Sequence, residues 1–273
     1  MAHIQQLLAS ASYPILTDTV FADAHLRAVL RREQVDAGIR APVRRVDAAL
    51  SPLICRWAGS SLVRVHPSGS FAKGTANRSG TDIDLFICLR EDTEAPLKAI
   101  YDSLHSALTA AGLTVRRQNV SLNVKVLGFS VDLVPGKRQN RLTLDHSLYC
   151  RRRDTWLKTN VLKHVDWIHS TGRQDEMRLM KLWRDQHQLD WPSFYVELAT
   201  ARALSELLQP GTPSSNLRRA LVFVRDEIER ARFVDPANGN NTVSDTLTGE
   251  EKRAVARAAA ASLNETDIRR IVR

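Results

Sequence analysis

Residues 69–87 read GSFAKGTANRSGTDIDLFI and join a turn-rich loop to a short apolar strand. Residues two apart in a strand face the same side, so Asp82 and Asp84 are expected to project together, opposite Ile83 and Leu85. Aspartate is disfavoured in strands, and neighbouring carboxylates repel each other. A divalent cation would remove that repulsion, whereas the plainer alternative is two exposed polar positions on an edge strand. The pair is therefore a candidate metal site.

The loop before this strand has the composition of a phosphate-binding turn. Gly69 permits close approach of the backbone to a ligand, and Ser70 offers a hydroxyl to phosphate oxygens. Lys73 adds a point charge. Loops of glycine and serine are more often simple turns, so this one is informative only together with the carboxylates.

A third carboxylate lies inside another apolar strand candidate, Val131-Asp132-Leu133-Val134. A lone aspartate buried there would be strongly unfavourable without a partner. Beside the first strand it completes a three-carboxylate cluster whose oxygens suit two Mg²⁺ ions, with Mn²⁺ as a substitute. One ion would lower the pKa of an attacking hydroxyl, and the other would hold a triphosphate and its leaving pyrophosphate. Asp132 is the candidate general base.

The rest of the chain predicts an α+β protein of two parts. Helical spacing of apolar residues from 15 to 57 predicts a long spine helix, and the short strand candidates that follow make a mixed sheet ending at Pro135. Further helices are predicted at residues 95–111, 156–170, 175–188, 193–208, 217–233, 250–262 and 265–272. We expect a sheet-bearing lobe over residues 1–145, a helical lobe over residues 146–273, and an active site in the cleft between them.

Composition limits the classes of partner. The 273 residues carry 39 Lys and Arg against 30 Asp and Glu, a net charge of +9. This excess suits a phosphate-rich partner, but many basic proteins simply have basic surfaces. The three cysteines are too few and too far apart for a zinc site or a disulfide framework. No apolar stretch approaches the roughly 20 residues that span a bilayer, so we expect a soluble, cytoplasmic protein without a membrane partner.

Taken together, the loop and the three carboxylates resemble the signature of polymerase-β-like nucleotidyltransferases. More of the chain is similar to one branch of that superfamily, the bacterial cyclic-oligonucleotide synthases (CD-NTases), which are relatives of the animal cyclic GMP-AMP synthase and the oligoadenylate synthases. The matching stretches are residues 69–75, 81–86, 130–135, 178–183, 193–198 and 235–241. The first three are shared across the superfamily, whereas the last three point to this branch.

The resemblance implies further nucleotide-binding residues. It places Arg178 and Lys181 on a basic helix, with Lys181 neutralising the donor triphosphate; the residues alone equally allow a solvated basic face. Ser193, which follows Pro192, is either a helix cap or a phosphate contact. Asn160 lies near the position that reads the donor base in similar synthases, where an asparagine amide would suit uracil; it would also suit a helix start.

The function that the resemblance implies is synthesis of a cyclic di- or trinucleotide from nucleoside triphosphates, with UTP among the suspected substrates and pyrophosphate released. In the family such a product is a diffusible messenger that activates a separate effector in anti-phage defence (CBASS), and nucleic acid is not required. One alternative is an RNA-end or linear-oligonucleotide nucleotidyltransferase. The other is an inactive nucleotide- or nucleic-acid-binding module, against which the mutual repulsion of three carboxylates argues.

Overall fold

The computed structural model describes residues 14–36, 38, 41–80, 82–205 and 211–273. These residues divide into two units. The sheet unit takes the described residues of Val35–Trp167 together with Pro236–Asn238. The helical unit takes the described residues up to Gln34, Ile168–Asp235 and Gly239–Arg273.

This division differs from the boundary predicted after residue 145. Two strands that follow that boundary continue the sheet, so they stay with the sheet unit. The N-terminal helix, predicted as part of the sheet-bearing lobe, makes its contacts with helices of the helical unit.

Among the described residues, seven strands form one mixed sheet in the order β1-β2-β5-β4-β3, with β6 paired to β5 and β7 to β6. The strands are β1 Leu62–Pro67, β2 Ile83–Leu89, β3 Arg116–Arg117, β4 Leu122–Val126, β5 Phe129–Arg138, β6 His146–Cys150 and β7 Thr155–Thr159. β2 and β5 run parallel, and each other neighbouring pair is antiparallel. The α+β fold predicted from the sequence is confirmed.

Two helices, Pro42–Ala58 and Leu97–Ala110, bury their apolar stripes against one face of this sheet. Pro42 occupies the first turn, where no helical partner exists for the N–H that proline lacks. The sheet supplies the alternate residues of β2 and β5 to the same core, which are Ile83, Leu85, Ile87, Leu89, Val131 and Leu133. The residues between them therefore face the other side of the sheet.

That second face carries a smaller cluster formed by Phe86, Cys88 and Leu148. Gly136 makes room for it, because a Cβ at this position would lie 2.3 Å from Cζ of Phe86. His146 is buried beside the cluster, with Nε2 3.0 Å from Sγ of Cys88 and Nδ1 2.8 Å from the carbonyl of Leu144. Burial lowers the pKa of His146 to about 4, so its ring is neutral in the folded protein near neutral pH.

The predicted long spine helix is instead two helices, Thr19–Arg32 and Pro42–Ala58, which belong to different units. The described residues from Gln34 to Asp36 are not helical, and Pro42 lies in the first turn of a new helix, where its missing N–H costs no hydrogen bond. Ile39, counted in the predicted apolar stripe, lies outside the described residues. The same is true of Thr81 and of residues 206–208, which end the helix predicted from Ser193.

One strand prediction and one helix prediction were wrong in extent. β5 continues past Pro135 to Arg138, because its pairing with β2 runs through Pro135 to Lys137 and its pairing with β6 extends to Arg138. Residues 155–159 form β7 rather than the start of the helix predicted at 156–170, since they pair along their whole length with β6. The helix begins only at Val161. Tertiary pairing therefore overrides the local helical pattern.

The helical unit is held by buried aromatic rings. Trp191 packs edge-to-face against both Trp183 and Tyr195, and Phe233 contacts Tyr195. The helices of this unit are Thr19–Arg32, Gln174–Gln186, Ser193–Leu204, Pro213–Glu227, Gly249–Leu263 and Ile268–Ile271. None of the helices in the described ranges has the length and apolar character needed to cross a bilayer.

We expect acid to destabilise the protein through His146. The unfolded chain protonates this histidine near its ordinary pKa of 6.5, whereas the folded state resists protonation until about pH 4. The unfolded state therefore binds more protons in this window, and the free energy of unfolding falls as the pH falls through it. Urea unfolding at about pH 7 and about pH 5 should show a smaller loss for His146→Gln than for the wild type. Equal losses in the two proteins would contradict this assignment.

Candidate active site

Asp84 is packed against the backbone of the glycine-serine loop. A Cβ at Gly69 would lie 1.8 Å from Oδ2 of Asp84, so no other residue fits without moving the carboxylate. Gly69 also has φ +56°, a conformation that side chains disfavour. The N–H of Ser68 donates to the carbonyl of Asp84 at 2.8 Å, which connects the loop to the start of β2. The loop and the carboxylate are therefore packed directly against each other.

The loop itself is a short helix, Gly69–Lys73, that ends at Gly74 in the left-handed conformation. The N–H of Thr75 donates to the carbonyl of Ser70 at 3.0 Å and closes the turn. Ser70 is half-buried, and Lys73 is only 7% exposed. Lys73 is thus a buried residue of this turn rather than a charge extended into solvent.

Asp132 lies on β5 directly opposite Asp84 on β2, because the two strands are parallel and in register. Its carboxylate is half-buried and receives hydrogen bonds at Oδ1 from Nδ2 of Asn123 (2.7 Å) and Nε2 of Gln118 (3.1 Å). Burial raises the pKa of Asp132, while the Asn123 hydrogen bond lowers it and the charge of Asp82 raises it further. The predicted pair of carboxylates on neighbouring strands is present.

Asp82 does not lie in β2, which begins at Ile83. It occupies the exposed segment just before the strand, and its charge is still felt by Asp132. Within the part of the chain that the structure describes, no three acidic, histidine or cysteine side chains are assembled as a metal-binding group. This corrects the prediction that Asp82 and Asp84 project from one strand. The two carboxylates on strands are Asp84 and Asp132, and Asp82 lies just before β2.

The chemistry of this donor set fits a divalent cation. The three carboxylates offer only hard oxygen ligands, the kind that Mg²⁺ and Mn²⁺ prefer. The repulsion between Asp82 and Asp132, which raises the pKa of Asp132, is the kind of penalty that a bound cation relieves. The glycine at position 69 preserves the space that the Asp84 carboxylate occupies.

Lys181, predicted to neutralise a donor triphosphate, lies in a buried ion pair within the helical unit. Its Nζ is 2.5 Å from Oε1 of Glu197, and the two side chains are 6% and 0% exposed. The pair joins the helices Gln174–Gln186 and Ser193–Leu204. The ion pair gives Lys181 a structural role, and contact of Lys181 with phosphate stays a prediction.

Arg178 and Ser193 also make contacts inside the helical unit. Arg178 donates to the carbonyl of Leu30 at 2.8 Å and pairs with Asp175 at 3.1 Å. Ser193 accepts a hydrogen bond from Nη1 of Arg184 at 2.9 Å and makes no side-chain cap on its own helix. Their proposed contacts with phosphate remain predictions.

Asn160 is buried in the sheet unit at the start of the helix Val161–Thr171. Its Oδ1 accepts from the N–H of Lys163 at 3.1 Å, and its Nδ2 donates to Asp145 at 2.8 Å. Asp145 is further paired with Lys158 at 2.8 Å. The carbonyl of Asn160 is therefore used in a helix cap, the second of the two roles expected from the sequence, and one amide hydrogen is used on Asp145.

Two residues that orient Asp132, Asn123 and Gln118, were not predicted from the sequence. Asn123 stands in an apolar strand between Leu122 and Val124, the same signal that drew attention to Asp132. Gln118 belongs to a turn with no comparable pattern, so only the folded structure identifies it.

The candidate site lies in a segment that matches a known protein family. Residues 53–158 match the family described as nucleotidyltransferase domain. This segment holds all three carboxylates together with the loop at 69–75, and the prediction that the chain is a nucleotidyltransferase is confirmed.

Three known proteins are similar to most of this chain. The cyclic AMP-AMP-AMP synthase of Escherichia coli (strain MS 115-1) is 28% identical over 235 residues, which cover 76% of this chain and 72% of that protein. The solved complex of E. coli MS115-1 CdnC with HORMA-deltaN has a TM-score of 0.70 at 23% identity, covering 90% of this chain and 91% of CdnC. The Elizabethkingia meningoseptica CdnE cyclic dinucleotide synthase, solved with GTP and Apcpp, has a TM-score of 0.68 at 14% identity, with 89% and 99% covered. The resemblance to cyclic-oligonucleotide synthases predicted from the motifs is confirmed.

We expect Gly69→Ala to abolish most nucleotidyl transfer, because the new methyl group must displace the Asp84 carboxylate. A displacement of about 1 Å at a reacting centre lowers rates by about 100-fold. Pyrophosphate release measures the effect. Gly128→Ala is the matched control, since Gly128 also has positive φ but a Cβ there would meet no atom within 4 Å. Equal activity of the two variants would contradict the contact between Gly69 and Asp84.

We expect Lys181→Met to lower the free energy of unfolding by about 3–5 kcal/mol, because it removes the cation from a buried ion pair. The double variant Lys181→Met/Glu197→Leu should recover most of that loss, since no buried carboxylate then lacks its cation. Urea unfolding of the single and double variants checks both statements. A Lys181→Met protein as stable as the wild type would show that the pair is not structural.

Proposed function

We propose that this protein makes a cyclic oligonucleotide from nucleoside triphosphates, with ATP as the first candidate substrate and pyrophosphate as the second product. The observation that carries the proposal is the register of β2 and β5, which sets Asp84 opposite Asp132 beside the glycine-serine loop. The similarity to a cyclic AMP-AMP-AMP synthase supports adenine as the base and a cyclic trinucleotide as the product.

The chain's own residues supply the reaction in the following way. The loop of Gly69 and Ser70 binds phosphate oxygens of the donor. The Asp132 carboxylate takes the proton of the acceptor ribose hydroxyl, whose oxygen attacks the α-phosphorus. A new phosphodiester bond forms as the bond between the α- and β-phosphates breaks, and pyrophosphate leaves. Closure of the ring repeats this step within one oligonucleotide.

Asp82, Asp84 and Asp132 are the residues that would hold Mg²⁺, with Mn²⁺ as a substitute. When bound, a divalent cation supplies charge neutralisation at the triphosphate and lowers the pKa of the acceptor hydroxyl. Arg178, Lys181 and Ser193 are proposed as donor-phosphate contacts on the strength of the family resemblance.

The suspected use of a pyrimidine, UTP in particular, depended on Asn160. The amide of Asn160 caps a helix and binds Asp145, so it gives little support to recognition of uracil. The similarity to the synthase relative gives stronger support to a preference for adenine. UTP therefore enters the assay as a competitor substrate. An Asn160→Ser variant tests recognition of uracil by Asn160, since a change of base preference in that variant would favour this role.

The proposed setting is the cytoplasm, where the substrates are soluble nucleotides. The family resemblance supports a role in anti-phage defence, in which the diffusible product activates a separate effector. No contact with nucleic acid is needed for this activity, although the net charge of +9 is compatible with one.

We expect the purified protein, incubated with all four nucleoside triphosphates and Mg²⁺ or Mn²⁺, to give a phosphatase-resistant product that mass spectrometry identifies as a cyclic adenine oligonucleotide. A variant with Asp82→Ala and Asp84→Ala should give none, because two of the three candidate ligands are removed. The wild type and the variant are compared at equal concentration after a check that both are folded.

The other outcomes separate the alternatives. Extension of an added RNA without a cyclic product would favour an RNA-end nucleotidyltransferase, and phosphatase-sensitive oligomers would favour a linear synthase. Nucleotide binding without any transfer, with or without added cell extract, would favour the inactive binding module.

A further inference from the structure

The two carboxylate oxygens of Asp132 have different surroundings. Oδ1 accepts two amide hydrogen bonds, from Asn123 at 2.7 Å and from Gln118 at 3.1 Å. Oδ2 has one long contact, 3.5 Å, with Oγ of Ser121. Hydrogen bonding to Asp132 is therefore concentrated on Oδ1.

The contact at Oδ2 is weaker than its distance suggests. Ser121 has a single hydroxyl proton, and its Oγ lies 2.9 Å from Oε1 of Gln118. A proton directed at the nearer acceptor is not directed at Asp132. Ser121 therefore orients Gln118, whose amide hydrogens then point toward Oδ1.

Asn123 is fixed in position by the sheet. It lies opposite Asp132 in the antiparallel register of β4 and β5, and it is 9% exposed. The two hydrogens of its Nδ2 are both used, one on Asp132 and the other on Oγ of Ser130 at 2.9 Å. The amide plane, and with it the direction of the bond to Oδ1, is thereby set.

The turn that carries Gln118 is anchored through its backbone. The hydroxyl of Tyr101 lies 2.9 Å from the carbonyl of Gln118 and 3.1 Å from that of Ser121. Nε of Arg151 donates to the same carbonyl of Gln118 at 3.2 Å. Changing the side chain of Gln118 leaves these bonds in place, so the effect on Asp132 can be separated from an effect on the turn.

We propose that Asn123 and Gln118 are positioning residues that saturate Oδ1 of Asp132 and leave Oδ2 as the oxygen that meets the divalent cation and accepts the proton of the ribose hydroxyl. The inference rests on the proposed function, since it takes Asp132 as a ligand of that cation. Residues that orient metal-binding carboxylates in this way typically change metal affinity or activity by about 10- to 100-fold when they are replaced.

The test uses Mn²⁺ binding, followed by electron paramagnetic resonance in the presence of ATP, beside steady-state kinetics on the full chain. Asn123→Leu and Gln118→Met each remove a donor to Oδ1 while keeping much of the side-chain volume. We expect each to weaken Mn²⁺ binding by about 10-fold or more and to lower kcat, with the KM for ATP changed by no more than about threefold. Ser130→Ala is the matched control, because it removes the other partner of Asn123 but no donor to Asp132, so its loss of Mn²⁺ affinity should be smaller than that of Asn123→Leu.

Mn²⁺ affinity unchanged from the wild type in folded Gln118→Met would overturn the proposal, and so would an equal loss in Ser130→Ala. Gln118 lies in a turn outside the strands, so Gln118→Met still tests the proposal if Asn123→Leu disturbs the sheet. Binding does not require turnover, so a wild type that binds Mn²⁺ but makes no product would contradict the proposed function alone. A wild type that binds no Mn²⁺ with ATP present would overturn both.

Discussion

The parallel pairing of β2 with β5 is the constraint on which the candidate site depends. It sets Asp84 opposite Asp132 and, by the alternation of the strands, sends the flanking residues Ile83, Leu85, Val131 and Leu133 into the main core. A slip of one residue in either strand would exchange carboxylates for core residues. The stability of the apolar face therefore holds the two carboxylates at the same position along the sheet.

Around this pair the sheet unit supplies contacts of two kinds. On one side the backbone of Gly69 leaves room for Asp84, and on the other two amides fix Asp132. The first contact is steric and the second is electrostatic, yet both act before any ligand arrives. Preorganisation of this kind is what a transfer between phosphate groups requires, because the protein contributes mainly position and charge to it.

The sequence was sufficient for the features that depend on local pattern. Alternating apolar residues located β1 and β2, helical spacing located the helix Leu97–Ala110, and polar residues placed in apolar strands located Asp84 and Asp132. The sequence was insufficient where pairing between separate strands determines the structure. β6 and β7 form because they pair with each other, and β5 extends through Pro135 because it pairs with β2 along this stretch. The occupied amide of Asn160 and the buried partner of Lys181 likewise arise from residues far away in sequence.

The contact between Gly69 and Asp84 also constrains how such a protein can change over generations. As long as the carboxylate is kept, any side chain at position 69 collides with it, so the two positions must be inherited together. A descendant that lost its acidic residue at 84 would release this restriction, and only the positive φ would still favour glycine there. A bulky residue at position 69 in a related sequence is thus a mark of a degenerate site, readable even when the rest of the chain has diverged.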